Sequence, residues 1–155
     1  MGEPSIVVRE HDPAWPRLFE VLRGRLLDVL GGLAVAVEHV GSTAVPGLTA
    51  KPVVDINAVV PSAEDVPLAV ERLERAGYRH EGDLGIPGRE AFRPPADAPW
   101  HHLYILTAEG EELRRHLAFR DYLRAHPEGA STYAGDRANN RATPERSHGW
   151  QKTGY

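Results

Sequence analysis

The stretch EHVGSTAVPGLTAKPVVDIN, residues 38–57, joins two mainly apolar runs through a turn that is rich in glycine and proline. The first run, residues 34–40, is short, contains several β-branched residues and is bounded by glycines, as is typical of a buried strand. Gly41-Ser42 ends this run, and residues 53–60 form the second one. The stretch therefore predicts two strands that are connected by a sharp turn.

Asp55 and Asn57 interrupt the second apolar run with polar side chains. Because alternate residues of a strand point to the same side, both side chains emerge from one face. A buried carboxylate is costly unless a partner compensates its charge. For Asp55 the candidate partners are a metal ion, Lys51 a few residues upstream, or the backbone amides of the Gly41-Ser42 turn. This group of residues is the first candidate for a functional site.

The composition limits the class of protein. With 155 residues, the chain is long enough for one domain with a hydrophobic core, and we expect a single domain over residues 1–155. The absence of cysteine excludes disulfides and thiolate metal sites. We expect a soluble, cytoplasmic protein without a membrane partner, because no apolar stretch has the length of a membrane span. A formal net charge of -4 argues against a general nucleic-acid-binding protein, which needs a basic excess.

Hydrophobic spacing predicts the other helices and strands. Helical spacing covers a segment that starts at Asp12-Pro13 and ends at Gly31-Gly32, and it recurs in residues 65–76 and 111–125. Further strands are predicted at residues 6–8, 89–93 and 100–106, whereas the rest of residues 78–99 reads as loop and residues 128–155 as an irregular tail. This order favours an α+β fold, similar to α/β folds, with a mixed β-sheet and flanking helices.

Alternation in residues 100–106 places His102 and Tyr104 on one face of that strand and His101 on the other. We expect this strand to lie next to, or near, the strands at residues 35–40 and 53–60. Asp55 and His102 should then open onto one cleft.

The run HVGSTAVPGLTAKPVVDI, residues 39–56, resembles the bacterial GrpB family of the nucleotidyltransferase superfamily. DPAWPRLF before it, and HHLYIL and RRHLAFRDYLRAHP after it, extend the resemblance over most of the chain. In the superfamily a Gly-Ser pair follows the first strand, and a carboxylate-x-carboxylate pair lies on the next. Gly41-Ser42 and the pair Asp55 and Asn57 occupy those places here.

The resemblance implies a nucleotidyltransferase-like fold, with the Gly41-Ser42 turn against a nucleotide phosphate and magnesium at Asp55 and Asn57. The implied activity is transfer of a nucleotidyl group from a nucleoside triphosphate to a small polar acceptor, with Asp55 and Asn57 as catalytic residues. Such transfer generally uses two divalent ions that stabilise the attacking and leaving oxygens.

Two positions depart from the superfamily pattern. Asn57 offers a carbonyl oxygen but no charge, and the later strand has His102 and Tyr104 where many active members have a third carboxylate. One alternative is therefore a non-catalytic protein that binds a nucleotide or phosphate ligand and has a degenerate metal site. A second alternative is another metal-assisted reaction, in which Asp55 and His102 act as metal ligands.

Basic residues supply candidates for phosphate binding, since arginine side chains match phosphate oxygens well. These candidates are Lys51, Arg89, Arg93 and Arg120. Arg120 and His116 lie on an otherwise apolar stripe of the last helix and need polar partners. The structural alternative for Arg120 is a salt bridge with Asp121 or Glu38. Structural alternatives also remain for Gly41-Ser42 as an ordinary turn, Asp55 as a paired carboxylate, and Asn57 as a satisfied residue at a strand end.

Overall fold

The computed structural model describes residues 9–126, which form a five-stranded mixed sheet with helices on both faces. The elements are helices α1 (Ala14–Leu30), α2 (Val66–Arg75) and α3 (Glu111–Ala125), and strands β1 (Ala36–Val40), β2 (Val54–Val60), β3 (Arg79–Gly82), β4 (Glu90–Arg93) and β5 (His101–Thr107). The strand order is β1-β2-β5-β4-β3, in which β2 and β5 are parallel and the other neighbours are antiparallel. This arrangement confirms the predicted α+β fold.

The main hydrophobic core lies between the sheet and the helices α1 and α2. Every residue of β2 is buried, as expected for a central strand that is covered on both faces. Alternate residues of β2, namely Val54, Ile56, Ala58 and Val60, pack with apolar residues of α1 and α2. From β5, Leu103 and Ile105 join the same cluster. This face of the two central strands is therefore mainly apolar, and its buried polar residue His101 lies 2.9 Å from the hydroxyl of Tyr78.

The opposite face of the sheet is covered by α3. Val59 of β2 and Leu106 of β5 pack there against Leu113 of α3. Asp55 and Asn57 have the same alternation as Val59, so their side chains also lie under α3. The two faces thus differ in chemistry, because the buried carboxylate of Asp55 and the amide of Asn57 lie on the α3 face.

Local signals in the sequence account for both ends of α1 and for the start of α2. Asp12 accepts a hydrogen bond from the amide of Ala14 at 2.8 Å, and α1 ends before Gly31, whose φ is +58°. A capping box between Ser62 and Asp65 precedes α2. Within residues 9–126, no helix is both long enough and apolar enough to cross a membrane.

The strand β3 is a correction to the sequence interpretation, which treated this part of residues 78–99 as loop. Its residues, Arg79, His80, Glu81 and Gly82, show no apolar alternation, because β3 is an edge strand that pairs only with β4. Pairing with a neighbour, rather than hydrophobic pattern, determines this strand. The predicted strand at residues 6–8 and the predicted tail at residues 128–155 lie outside the described residues.

Candidate functional site

Asp55 and His102 form a hydrogen-bonded pair on the α3 face of the sheet. They lie directly opposite each other on β2 and β5, and Nδ1 of His102 is 2.7 Å from Oδ1 of Asp55. Because an ionised carboxylate can only accept, Nδ1 carries the hydrogen, and in the neutral ring the lone pair is on Nε2. The side chain of Asp55 is 2% exposed and that of His102 is 21% exposed. A buried carboxylate therefore orients a partly exposed imidazole, and the two side chains lie on one face of the sheet as predicted.

A second chain of buried polar groups begins at Asn57. Its Nδ2 is 2.8 Å from Nδ1 of His116, and Nε2 of His116 is 3.1 Å from the carboxylate of Glu112. Burial, followed by the positive charges of Arg89 and Arg115, lowers the pKa of His116 to about 4. His116 is thus neutral at neutral pH. Among residues 9–126, no group makes a hydrogen bond with the buried Oδ1 of Asn57.

Arg89 places a positive charge beside this cluster. The residue is 1% exposed, and its guanidinium carbon lies 4.6 Å from the centroid of the Tyr104 ring. Burial raises the pKa of Tyr104, the negative charge of Asp55 raises it further, and Arg89 opposes the shift. Arg89, a predicted phosphate-binding residue, thus lies on the α3 face of the sheet, against the ring of Tyr104.

The Gly41-Ser42 turn lies at the same end of the sheet as Asp55. Val40, the last residue of β1, pairs with Asp55, so the turn follows immediately beside it. Gly41 has a φ of +78°, a conformation that favours glycine, and Ser42 is buried. Lys51 is half-buried and lies three residues before the start of β2.

Arg93 and Arg120 have other partners. Arg93 is paired with Glu81 and lies 5.5 Å from the ring centroid of Trp100. Arg120 donates hydrogen bonds to Glu38 at 2.8 Å and to Asp121 at 2.9 Å. The structure therefore shows the ion pairs of the structural alternative for Arg120.

Glu112 and the pairing of Asn57 with His116 are absent from the sequence interpretation. The available signal was the i, i+4 spacing of Glu112 and His116, which places both on one side of α3. Asn57 is also not at a strand end, because it is the fourth of the seven residues of β2. The structure thus replaces the picture of a satisfied terminal residue with a central amide that is bonded on one side only.

The oxygen atoms at Asp55 and Asn57 fit one hard cation better than two. Within the described part of the chain, no group of three or more His, Cys, Asp and Glu side chains could hold a metal ion. Magnesium commonly uses only one or two protein carboxylates and completes its shell with water and phosphate oxygens. Asp55 would offer such an ion one carboxylate and Asn57 one buried carbonyl oxygen, whereas a pair of ions would need a second bridging carboxylate.

Comparisons with known proteins agree with this fold. The sequence profile of the GrpB family, described as GrpB protein, matches residues 5–149. The crystal structure of the conserved protein GrpB from Enterococcus faecalis superposes with a TM-score of 0.78 and 38% identity, and the match covers 90% of this chain and 86% of that one.

Two similar proteins are longer than this chain. UPF0157 protein YqkA of Bacillus subtilis is 37% identical over 80% of this chain, which spans only 36% of YqkA. A dephospho-CoA kinase of Mycolicibacterium paratuberculosis is 31% identical over 89% of this chain and 39% of its own length. The family profile covers nearly the whole chain, and the chain therefore belongs to the GrpB family.

Proposed function

We propose that this GrpB-family chain binds a nucleotide, or a similar phosphate-bearing ligand, together with one magnesium ion at Asp55 and Asn57. The observation that carries this proposal is the buried Oδ1 of Asn57, which has no hydrogen-bond partner among residues 9–126 and lies on the same face as the Asp55 carboxylate. A buried polar atom without a partner costs about 1–3 kcal/mol. A bound cation would remove this cost.

The surroundings of Asp55 supply further groups that suit a phosphate. Arg89 is buried beside Tyr104 and contributes a permanent positive charge. The Gly41-Ser42 turn contributes backbone amides next to Asp55. A relative named dephospho-CoA kinase contains a similar region, which is consistent with a phosphate-bearing ligand. When bound, the cation would neutralise part of the phosphate charge.

Nucleotidyl transfer is the second candidate function, and the pair of Asp55 and His102 favours it. A carboxylate that orients an imidazole through Nδ1 leaves Nε2 as a proton acceptor, which is the arrangement of a general base. In this reaction an acceptor hydroxyl oxygen attacks the α-phosphorus of a nucleoside triphosphate. Its proton moves to Nε2 of His102, the bond to the β-phosphate oxygen breaks, and pyrophosphate leaves.

Ligand binding can be tested with Asp55→Asn, which removes the charge but keeps an oxygen that accepts from His102. We expect nucleoside triphosphates with magnesium to raise the melting temperature of the wild-type protein, because a ligand stabilises the state that binds it. Asp55→Asn should retain the melting temperature of the ligand-free protein and lose the shift. Asp28→Asn, at an exposed position of α1, is the matched control and should keep it. A wild-type protein that shows no shift, and no heat of binding by calorimetry, contradicts the proposal.

Turnover can be tested separately by measuring pyrophosphate release with a panel of hydroxyl acceptors. We expect His102→Gln to abolish release while the nucleotide-dependent melting shift persists, because His102 serves the proton transfer rather than the phosphate. Release that is unchanged in His102→Gln contradicts the role of His102 as the base. A wild-type protein that binds nucleotide without releasing pyrophosphate supports the binding function and contradicts the transferase.

A further inference from the structure

The hydrogen-bond chain from Glu112 to Asn57 has only one consistent direction. The carboxylate of Glu112 accepts, so Nε2 of His116 must donate to it across 3.1 Å. Nδ1 of the same neutral ring then carries a lone pair and must accept. The group 2.8 Å from Nδ1 is Nδ2 of Asn57, which can only donate. Every contact in the chain is therefore between a donor and an acceptor.

The same direction determines where the other end of the Asn57 amide points. An asparagine amide can turn by 180° and exchange its oxygen and nitrogen, and the two orientations differ only in the hydrogen bonds that they make. Here the NH₂ group is bonded to His116, so the oxygen points away from His116. This oxygen is the atom that has no hydrogen-bond partner within residues 9–126. The reverse orientation would set an NH₂ group at the position proposed for a cation.

We propose that Glu112 and His116 are positioning residues, which hold the amide of Asn57 so that its oxygen, and not its NH₂ group, faces the ligand beside Asp55. This inference rests on the proposed function for the nature of the ligand. Both residues are buried, with side chains 7% and 3% exposed, so their hydrogen bonds are protected from competing water. Groups that orient a ligating side chain typically affect the affinity of a metal by about 10- to 100-fold.

The arrangement also gives a reason for an amide at position 57. An aspartate there has no hydrogen to donate, so its lone pairs would face the lone pair on Nδ1 of His116. The ring would have to bind a proton on Nδ1. The resulting positively charged ring would lie between the carboxylates of Glu112 and residue 57. Asn57 is therefore matched to His116, and its exchange for a carboxylate changes α3 as well as the site.

The direction of the chain can be measured without any ligand. Nitrogen-15 NMR of the wild-type protein at neutral pH distinguishes a protonated from an unprotonated ring nitrogen. We expect His116 of the wild-type protein to carry its hydrogen on Nε2 and none on Nδ1. In Asn57→Asp we expect His116 to bind an additional proton on Nδ1. A wild-type His116 with its hydrogen on Nδ1 overturns the inference, because the Asn57 oxygen would then be bonded to His116.

Cation affinity tests the consequence of the orientation. Magnesium titration by calorimetry, with a nucleoside triphosphate present, should show a loss of about 10- to 100-fold for His116→Ala. His116→Gln should restore part of the affinity, because its side-chain oxygen can accept from Nδ2 of Asn57. Arg114→Ala is the control on the same helix, since this side chain is 72% exposed and paired only with Glu111 among the described ion pairs.

Equal magnesium affinities for the wild-type protein and a folded His116→Ala would overturn the positioning role. If the wild-type protein binds no cation although His116 has a bare Nδ1, the proposed magnesium site is contradicted while the assigned orientation of Asn57 is supported. The two proposals therefore fail on different measurements. Melting curves of each variant without ligand show whether a loss of affinity reflects unfolding or the loss of orientation.

Discussion

Arg120 shows how the partner of one side chain separates a structural role from a binding role. It reaches from α3 to the edge strand β1, where it donates to Glu38 at 2.8 Å and to the main-chain oxygen of His39 at 3.1 Å. Its side chain is only 12% exposed. These bonds connect two elements that are far apart in sequence, so Arg120 stabilises the packing of α3 on the sheet.

Arg120→Ala should lower the free energy of unfolding by about 1.5–3 kcal/mol, the range for losing hydrogen bonds to charged groups. Ligand binding by the folded protein should remain. Urea denaturation of Arg120→Ala, Glu38→Gln and the double variant measures the coupling between the two side chains. Unchanged stability combined with lost nucleotide binding would show that Arg120 contacts the ligand instead.

His39 is a buried titratable residue away from the candidate site. Its ring stacks on Phe19 with centroids 4.8 Å apart, and Nε2 lies 2.9 Å from the hydroxyl of Thr43. Burial, followed by electrostatic interactions with Arg124, Arg120 and His11, lowers the pKa of His39 to about 3. The folded state therefore holds this ring neutral where the unfolded chain would bind a proton.

This pKa predicts how stability depends on pH. Since the unfolded state binds more protons between pH 6.5 and about 3, the free energy of unfolding rises with pH in this range. The contribution of His39 is fully present above pH 6.5 and is lost as the pH falls towards 3. His101 and His116, whose pKa values are lowered to about 4, act in the same direction.

The measurement is urea denaturation across this pH range for the wild-type protein and His39→Phe, which keeps the ring stacked on Phe19. We expect a shallower pH dependence for the variant, with the remaining slope due to the other buried histidines. Identical slopes for the two proteins would mean that His39 is not held neutral by the fold.

Between β3 and β4, a loop carries local backbone strain. Leu84 has a φ of +51°, and it is the one non-glycine residue with positive φ among those described. Leu84 is 59% exposed, so no burial compensates the cost of this conformation. The loop leads directly to Arg89, so the conformation of the loop affects the position of Arg89 at the candidate site.

Leu84→Asn should raise the free energy of unfolding by about 1 kcal/mol, because asparagine tolerates the left-handed conformation that costs most residues about 1–2 kcal/mol. Leu68→Asn in α2 is the control, since Leu68 is also exposed but lies in a helix, where asparagine is the poorer residue. Urea denaturation of the two variants should therefore give changes of opposite sign. A loss of stability for Leu84→Asn contradicts the assignment of strain.

The whole molecule is organised around the parallel pair of β2 and β5, which are covered by helices on both faces. One face of this pair packs into the main core with α1 and α2, and the other carries Asp55, Asn57 and His102 under α3. Because side chains alternate along a strand, two neighbouring positions can serve stability and function separately. Leu103 and His102 are such neighbours.

Leu103→Ala should lower the free energy of unfolding by about 2–5 kcal/mol, as is usual when a buried leucine leaves a cavity. Leu103 is 0% exposed, whereas Val21, on α1, is 62% exposed. The control Val21→Ala should change stability by less than about 0.5 kcal/mol. Nucleotide affinity of Leu103→Ala, measured where the variant remains folded, should be close to that of the wild-type protein. A large loss of affinity would mean that the two faces are coupled.

The spacing of apolar and polar residues was sufficient to predict most helices and strands. It also predicted which side chains of the central strands share a face. Helical spacing predicted α3 with the bounds observed, and alternation placed Asp55 and Asn57 on one face. The expected neighbourhood of Asp55 and His102 is confirmed by their opposite positions on β2 and β5. These features are readable because a side chain's direction along a helix or strand depends only on its spacing.

The hydrogen-bond partners were decided by packing. Asn57 meets His116 from 59 positions away, and Arg120 meets Glu38 across 82 positions, at distances that no local spacing encodes. The strand β3 likewise exists because β4 pairs with it, since its own residues carry no apolar pattern. A hydrogen bond contributes only about 1 kcal/mol net, so it forms where the hydrophobic core has already brought the two groups together. The spacing of residues in the sequence therefore determines which face of the sheet carries the candidate functional side chains. The packing of the core determines which of these side chains form hydrogen bonds with each other.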